Sequence, residues 1–552
     1  MPDVQRQGDA FNGQIAAVIE GGFNVTNVED GAEIFPTGVQ LTGIDHNTGV
    51  RLNAATHNGG TAIHDEDAKL GLLAVGLDWR SRDVRLSGDI GWQDHQLKRT
   101  RTNVTLGAGV TSVPTVPDNQ SNHAQPWSYS NERDTFGTFR GEWDITPDMT
   151  AWAAAGARRS EEANSLANIT VNNGSSGAAT AYRFDNTRED SVNTGELGVR
   201  GKLQTGSLGH EWVATASLFD FDKKNAYAMD WRNTLATNLY GPVSTNLPAF
   251  SGTTLYGGDL ANPLRTGTTR LTSFAVGDTL TLLDKRLLLT AGVRHQKIDI
   301  GNYAYGTAAL TSRYEQSRTS PLLAAVVKLD KSVSLYANYV EGLSQGQTAP
   351  STATNRGEML KPYVAKQKEV GVKYDAGRVA GSLAFFSTDK PRAFLNSSNL
   401  FGTYGKDRHQ GLELAVQGEA TQGLRLLGGL TWLDAQQQAT GSATTDGKRV
   451  IGVPEMQANI GAEWDVPGVR GLAVDGRLVH TGSSYANATN TLKVGGWNRL
   501  DLGVRYLTEV QGKLVTLRLR IDNVADKNYW ASVGGYPGSG YLTVSAPRTV
   551  SL

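Results

Sequence analysis

The 552-residue chain carries 53 Lys and Arg against 54 Asp and Glu, a formal net charge of -1, and it contains no cysteine. The charge balance excludes the basic excess of a nucleic-acid binder, and zero cysteine excludes a disulfide framework, thiolate metal sites and a cysteine nucleophile. The length exceeds what one soluble core holds, so several domains or one large barrel is expected.

Residues 1–6 lack the charged start and apolar core of a signal peptide, and residues 1–48 form an atypical N-terminal segment in which Gln14-Ile15-Ala16-Ala17-Val18-Ile19 offers a first strand. No apolar run approaches the roughly 18 residues of a membrane helix; residues 322–327 are among the longest. From about Gly49 onward, period-two alternation recurs. Residues 83–92 alternate, as do Val333, Leu335, Ala337 and Tyr339 against Ser334, Tyr336 and Asn338. Val370, Val372 and Tyr374 alternate with Glu369, Gly371 and Lys373, and Leu412, Leu414 and Val416 with Glu413, Ala415 and Gln417. In residues 515–521, Val, Leu, Leu and Ile fall on one face and Thr, Arg and Arg on the other. A strand separates these faces and a helix mixes them.

A soluble sandwich also alternates, but three features favour a membrane barrel. Charged residues occupy the polar face, as a wet lumen permits. Trp79, Trp92, Trp152, Trp432, Trp464 and Tyr506 sit near strand ends, as interfacial girdles require. Tight turns at 144–148 and 329–331 alternate with long polar loops at 94–133, 160–190, 223–268, 300–319, 341–365 and 435–451. Short periplasmic turns and long extracellular loops are the outer-membrane pattern. The expected fold class is therefore all-β: a transmembrane antiparallel β-barrel. At about 25 residues per strand with its connection, it would have about 22 strands.

Few motifs carry chemistry. Gly342-Leu343-Ser344-Gln345-Gly346 matches a G-x-S-x-G nucleophile elbow, yet loop rather than helix follows it. Residues 441–448 miss phosphate-loop spacing by one residue, and Arg449 stands where Ser or Thr is required. Residues 534–540 are glycine-rich without a following helix. The nine His lack metal-ligand spacing; His123 reads as a solvated loop residue, and Lys98-Arg99-Thr100-Arg101 as loop charge or a lipopolysaccharide contact. No catalytic residue, metal site or cofactor is expected. Loop aromatics are the better signal: Trp127, Tyr129, Tyr240, Phe250, Tyr256, Tyr303, Tyr305, Tyr404, Tyr536 and Tyr541 lie on long connections. Set around a barrel mouth, such rings and hydroxyls suit an amphipathic ligand.

The last third resembles a known family. Residues 333–342, Ser-Leu-Tyr-Ala-Asn-Tyr-Val-Glu-Gly after Val333, are similar to a strand of TonB-dependent siderophore receptors. So are Lys366-Gln367-Lys368-Glu369-Val370-Gly371-Val372-Lys373-Tyr374, Gln410-Gly411-Leu412-Glu413-Leu414, the Pro454 to Asn459 step, and Asp522-Asn523-Val524-Ala525-Asp526-Lys527-Asn528-Tyr529-Trp530. These segments come in the family's order, with weaker similarity back to about residue 49, and the chain resembles the ferrichrome type most. The resemblance implies a 22-strand barrel in the bacterial outer membrane, monomeric, binding a ferric siderophore of hydroxamate class at its external mouth. Uptake is driven by the TonB complex, and iron is carried only as ferric siderophore. By segment, Trp127, Tyr129, Tyr240 and Tyr536 are the pocket residues the resemblance implies, with Phe250, Tyr256, Tyr305 and Tyr404 added from the loop reading.

Three departures stand out. The family's plug of roughly 150 residues and its TonB box have no counterpart here, so residues 49–552 read as barrel with the plug domain absent. Residues 1–48 match the first strand poorly, and the chain ends at Leu552 without a terminal aromatic. A fragment and a plugless passive, porin-like channel are both compatible with these features, and weak affinity without energised gating is expected of a plugless chain. An outer-membrane hydrolase centred on Ser344 is the third reading.

Overall fold

Alternating side chains force extended backbone, and in a membrane every strand must pair with a neighbour because lipid offers no hydrogen bonds. The computed structural model describes residues 16–19, 24–25, 39–42, 47–534 and 540–552. Every regular element among them is a strand. Nineteen strands follow one another from Thr48–Gly60 to Lys513–Asp522, each antiparallel to the next, and the sheet wraps into a barrel. Thr549–Ser551 extends it beyond Lys513–Asp522, and Asn24–Val25 pairs with Val550 and Ser551. The barrel is thus the all-β membrane architecture expected, with a strand count close to that expected. Ala16–Ile19 is a strand but pairs with Val39–Thr42 in a separate two-stranded sheet, not with the barrel.

One rim carries tight turns. The two-residue connection Gln511–Gly512 has φ of 52° and 77°, the left-handed pair whose twist matches the flanking strands and which glycine favours. The turns at 147–148 and 329–332 are as expected. At the other rim two expected loops are strand instead. Met149–Val171 and Ala178–Thr205 run for 23 and 28 residues and leave only 172–177 as a turn. Leu287–Tyr303 and Leu310–Lys328 likewise shrink the 300–319 loop to 304–309. A membrane strand needs only about 9–11 residues, so these hairpins rise well beyond it. Their polar sequences read as loop, but the charges pair across strands: Arg158–Asp134 at 2.9 Å, Lys224–Glu189 at 2.8 Å and Arg313–Asp299 at 2.6 Å.

Register assigns the faces. Glu142 lies opposite Trp152, and Trp152 opposite Gly198, so these share a face with Arg140 and Arg200. Trp152 Nε1 donates to Glu196 at 2.6 Å, and the Arg140 and Arg200 guanidinium groups lie 5.7 and 5.8 Å from its ring. That polar row is the lumen wall, so Trp152 is a lumen residue rather than a girdle residue. The alternate face carries exposed Trp79, Trp143, Tyr374, Trp464 and Tyr506 near the tight turns, and Trp92 and Trp432 towards the other rim. Trp464 pairs with Leu424, and Trp432 lies on the same face of that strand. At ~3.3 Å per residue and a tilt near 40°, the separation gives an apolar band roughly 20 Å tall, close to the ~25 Å of outer-membrane barrels.

Above the band the connections build a small core of their own. Val104, Ile169, Val171, Leu239, Val494, Trp530 and Leu542 are buried together. Strand Val104–Leu106 pairs in parallel with Thr170 and Val171 and antiparallel with Tyr541 and Leu542, so the 99–128 loop continues the wall upward. Trp530 Nε1 donates to the Pro114 carbonyl at 2.9 Å. Trp530→Ala is expected to destabilise this upper wall by about 3–5 kcal/mol, the usual cost of emptying a buried aromatic site. Faster amide exchange in 104–106, with strand Val333–Ser344 unchanged, would show it.

Candidate ligand-binding mouth

The lumen face can be followed strand by strand to the outer rim. Glu142, Asp134 and Glu132 share it on Tyr129–Thr146; opposite them lie Ser160 and Glu162, and opposite those Asp190 and Arg188. Continuing upward, Asn164, Asn186 and Tyr227 occupy one cross-strand row. Phe184 stacks on Tyr227 with centroids 6.4 Å apart, and Tyr305 meets Tyr227 edge-on at 5.0 Å. Asn186 Nδ2 donates to Asn225 Oδ1 at 2.6 Å, and Asn225 Nδ2 to the Tyr305 hydroxyl at 3.2 Å. The result is an aromatic flight, Phe184–Tyr227–Tyr305, edged with amides and set above a charged row. Gly257 faces Tyr227 across the sheet and has no room for a side chain: a Cβ there would stand 2.2 Å from the ring.

The charged row leans acidic by one charge, Glu132, Asp134, Glu162 and Asp190 against Arg158, Arg188 and Lys223, the last opposite Asp190. Arg158 pairs with Asp134 at 2.9 Å, and Arg188 with Asp190. Glu132 and Glu162 stand directly opposite each other, an arrangement that disfavours a further negative charge nearby.

The residues singled out from sequence fall into separate groups. Tyr305 belongs to the lumen-facing flight. Tyr129 and Tyr256 take the opposite face: Tyr129 lies opposite Ser165, Ser165 opposite Asp185, Asp185 opposite Ala228, and Ala228 opposite Tyr256. This row has the parity of exposed Leu197 in the apolar band. Phe250 joins it, meeting Tyr256 edge-on at 5.9 Å with the Arg183 guanidinium 3.9 Å over its ring. Tyr404 is the extra residue of a bulge between the Arg392–Gly405 and Ala393–Thr403 pairs, and it meets Phe394, which shares the lumen face with Arg392, at 5.5 Å. Trp127 and Tyr240 belong to the upper wall; the Tyr240 hydroxyl donates to the Thr115 carbonyl at 3.0 Å. Tyr536 lies outside the described residues. Phe184, Tyr227, Asn186 and Asn225 fall in segments whose polarity resembles loop, and the alternation Phe184, Asn186, Arg188 and Asp190 is the sequence signal that marks them as one face of a strand.

Two loop readings are corrected. His123 is buried, 4% exposed, because residues 118–125 fold back on the first external turn. Arg101 is partly buried, its Nη1 donating to the Asn119 and Ser121 carbonyls at 2.9 Å each, while Arg99 pairs with Asp65 at 2.9 Å. Ser344 ends a strand and is followed by irregular chain, so the elbow's strand–turn–helix setting is not formed.

Comparison with known proteins bears on the barrel and its family. Residues 74–524 match the family model for the TonB dependent receptor-like beta-barrel. The ferrichrome receptor FcuA of Yersinia enterocolitica is 34% identical over 501 residues, covering 90% of this chain and 65% of that protein. The chain therefore spans just under two thirds of that relative's length. The ferrichrome outer membrane transporter/phage receptor of Escherichia coli K12 is 29% identical over 213 residues, 37% of this chain and 27% of its own. Among solved structures, the ferric preacinetobactin receptor BauA of Acinetobacter baumannii superposes with a TM-score of 0.87 at 28% identity, covering 98% of this chain and 79% of BauA. These matches make the protein a receptor-type barrel and not an enzyme, and the chain belongs to the TonB-dependent receptor family of the bacterial outer membrane.

Proposed function

We propose that the chain receives a ferric siderophore at its external mouth, that the ligand is of hydroxamate class, and that uptake draws energy from the TonB complex as it does in intact members of the family. The observation that carries the ligand class is the lumen-facing flight Phe184–Tyr227–Tyr305 above a row holding Glu132, Asp134, Glu162 and Asp190 against Arg158, Arg188 and Lys223. A ferric tris-hydroxamate is electrically neutral, whereas a ferric tris-catecholate is a trianion. Aromatic faces and amide donors suit the former, and an acidic row opposes the latter through charge of like sign. The ferrichrome receptors among the relatives support the same class.

The barrel acts as a monomer in this reading. Its outward ion pairs above the apolar band, such as Arg133–Asp94 at 3.0 Å and Arg313–Asp299 at 2.6 Å, face the lipopolysaccharide of the outer leaflet. The test is equilibrium binding, followed by tryptophan quenching, of ferrichrome and of a ferric tris-catecholate to the chain in vesicles. Ferrichrome is expected to bind at least tenfold tighter. Equal binding, or preference for the trianion, would remove the hydroxamate assignment, and binding of neither would remove the receptor reading of this mouth. Replacing Glu132 and Glu162 together by Gln is expected to narrow the preference by strengthening catecholate binding alone.

A further inference from the structure

The 99–128 loop is stitched into the upper wall around a buried group of titratable side chains. His123 Nε2 donates to the Thr102 carbonyl at 2.8 Å. Asn122 Nδ2 donates to the His64 and Arg99 carbonyls at 2.9 and 2.8 Å, and the His64 amide to the Gln120 carbonyl at 2.9 Å. Both contacts tie residues 118–125 to the external turn that ends the first strand. Glu66 of that turn is buried and accepts from Thr61 Oγ1 at 3.3 Å. The Arg101 charge acts on both Glu66 and His123. On the far side, Asn119 is buried: its amide donates to Asn528 Oδ1 at 2.9 Å and its Nδ2 to Asp526 Oδ1 at 3.2 Å. The strap thus joins the first external turn to the chain's last external connection, and its tip is clamped at both ends.

We propose that Glu66, Arg101 and His123 form an acid-sensitive latch, which holds the 99–128 loop in the upper wall while His123 is neutral and releases it when His123 takes up a proton. A neutral imidazole needs only its bond to Thr102. A protonated one gains a second N–H and a charge with no water to solvate them, and the Arg101 guanidinium repels that charge. The charged groups around the latch are Arg99, Arg101 and Asp118 on the loop itself, Asp65 and Glu66 on the first turn, and Asp526 and Lys527 on the last connection. Asp65 is engaged by Arg99 and Asp526 by Asn119 and Arg548, leaving Glu66 and Asp118 to act on Arg101.

Burial holds the imidazole down from 6.5 to about 4, with Arg101 pushing the same way against the Thr102 carbonyl. For His123 the folded value lies below the unfolded one, so its contribution to the latched state is complete above pH 6.5, while Glu66, whose carboxyl is pushed up by burial, contributes in the opposite sense as acid neutralises it. The His123 contribution is lost as pH falls, and the loss levels off below about 4. The largest shift in the opening equilibrium is roughly 300-fold.

Amide exchange of the full chain in lipid vesicles, corrected for intrinsic rate, tests this at pH 7.5 and 4.5. Exchange in 99–128 is expected to rise at least tenfold at the lower pH while strand Val333–Ser344 stays protected. His123→Gln keeps a donor for Thr102 and cannot titrate, so its exchange is expected to stay at the pH 7.5 level throughout. No rise in the wild-type chain overturns the proposal, and so does a rise that persists in His123→Gln, most directly if Glu66→Gln removes it. If His123→Gln is open at both pH values, the wild-type midpoint decides: a midpoint between pH 4 and 6.5 supports the latch, and one outside that window overturns it.

Discussion

Ile460→Arg is expected to destabilise the folded barrel by about 2–4 kcal/mol, the cost of a cation at the bilayer midplane on the lipid face. Leu427→Arg, on the adjacent strand and close by, is expected to change stability by less than about 0.5 kcal/mol. Exposure alone would predict the reverse, since Leu427 is 69% exposed and Ile460 52%. Register decides. Ile460 pairs with Gly428 and Leu478 and lies midway between Met456, opposite Trp432, and Trp464, opposite Leu424; these side chains bracket the apolar band. Leu427 pairs with Gln417 and Gly461, on the face that also carries Arg425, Glu463 and Arg505. There Arg425 reaches Glu463 at 2.8 Å and Arg505 reaches it at 3.0 Å, so one more guanidinium enters a wet, polar wall. Urea unfolding in vesicles of fixed composition measures both variants. Equal costs would mean that the two faces have been assigned the wrong way round, and with them every lumen residue named above.

The same alternation explains what was legible in the sequence. Within the membrane, where one face must be apolar, residues 412–417 and 515–521 declare both strand and face, because a shift of one residue would turn every leucine into the lumen. Above the membrane neither face is apolar, and the code changes. Residues 178–192 alternate Arg and Asp with Phe, Tyr and Asn, look like loop, and form a continuous antiparallel ladder because backbone pairing does not depend on polarity. Aromatic residues there were visible as a set, but a residue read as loop has no face, so Tyr305 and Tyr256 looked equivalent. His123 failed differently. It is buried because its neighbours Asn122 and Asn119 bond to His64 and Asn528, far away in sequence, and no local pattern reports such contacts. The family segments at 333–342, 366–374 and 522–530 were readable because they lie in and beside membrane strands whose register the fold requires.

Tyr227→Ala is expected to weaken binding of a ferric tris-hydroxamate by roughly 10- to 100-fold, about 1.4–2.7 kcal/mol, as expected of a central aromatic contact. Tyr256→Ala is expected to leave binding within about twofold, although Tyr256 is the more exposed ring. The difference lies in the faces. Tyr227 is the middle of the lumen-facing flight, touching Phe184 on one side and Tyr305 on the other; its loss opens the contact surface and frees both neighbours. Tyr256 meets Phe250, whose other face is covered by Arg183, and Arg183 is tied to Asp185 and to the Pro248 carbonyl at 2.7 Å. That group fastens the 230–264 connection to the outward side of the wall and presents nothing to the lumen. Tyr227→Phe is expected to retain most of the affinity, because stacking and edge contacts survive loss of the hydroxyl. Binding titrations of the three variants against ferrichrome separate the alternatives. If Tyr256→Ala were the damaging change, the ligand would sit outside the flight, and the mouth would have to be redrawn around Phe250 and Arg183.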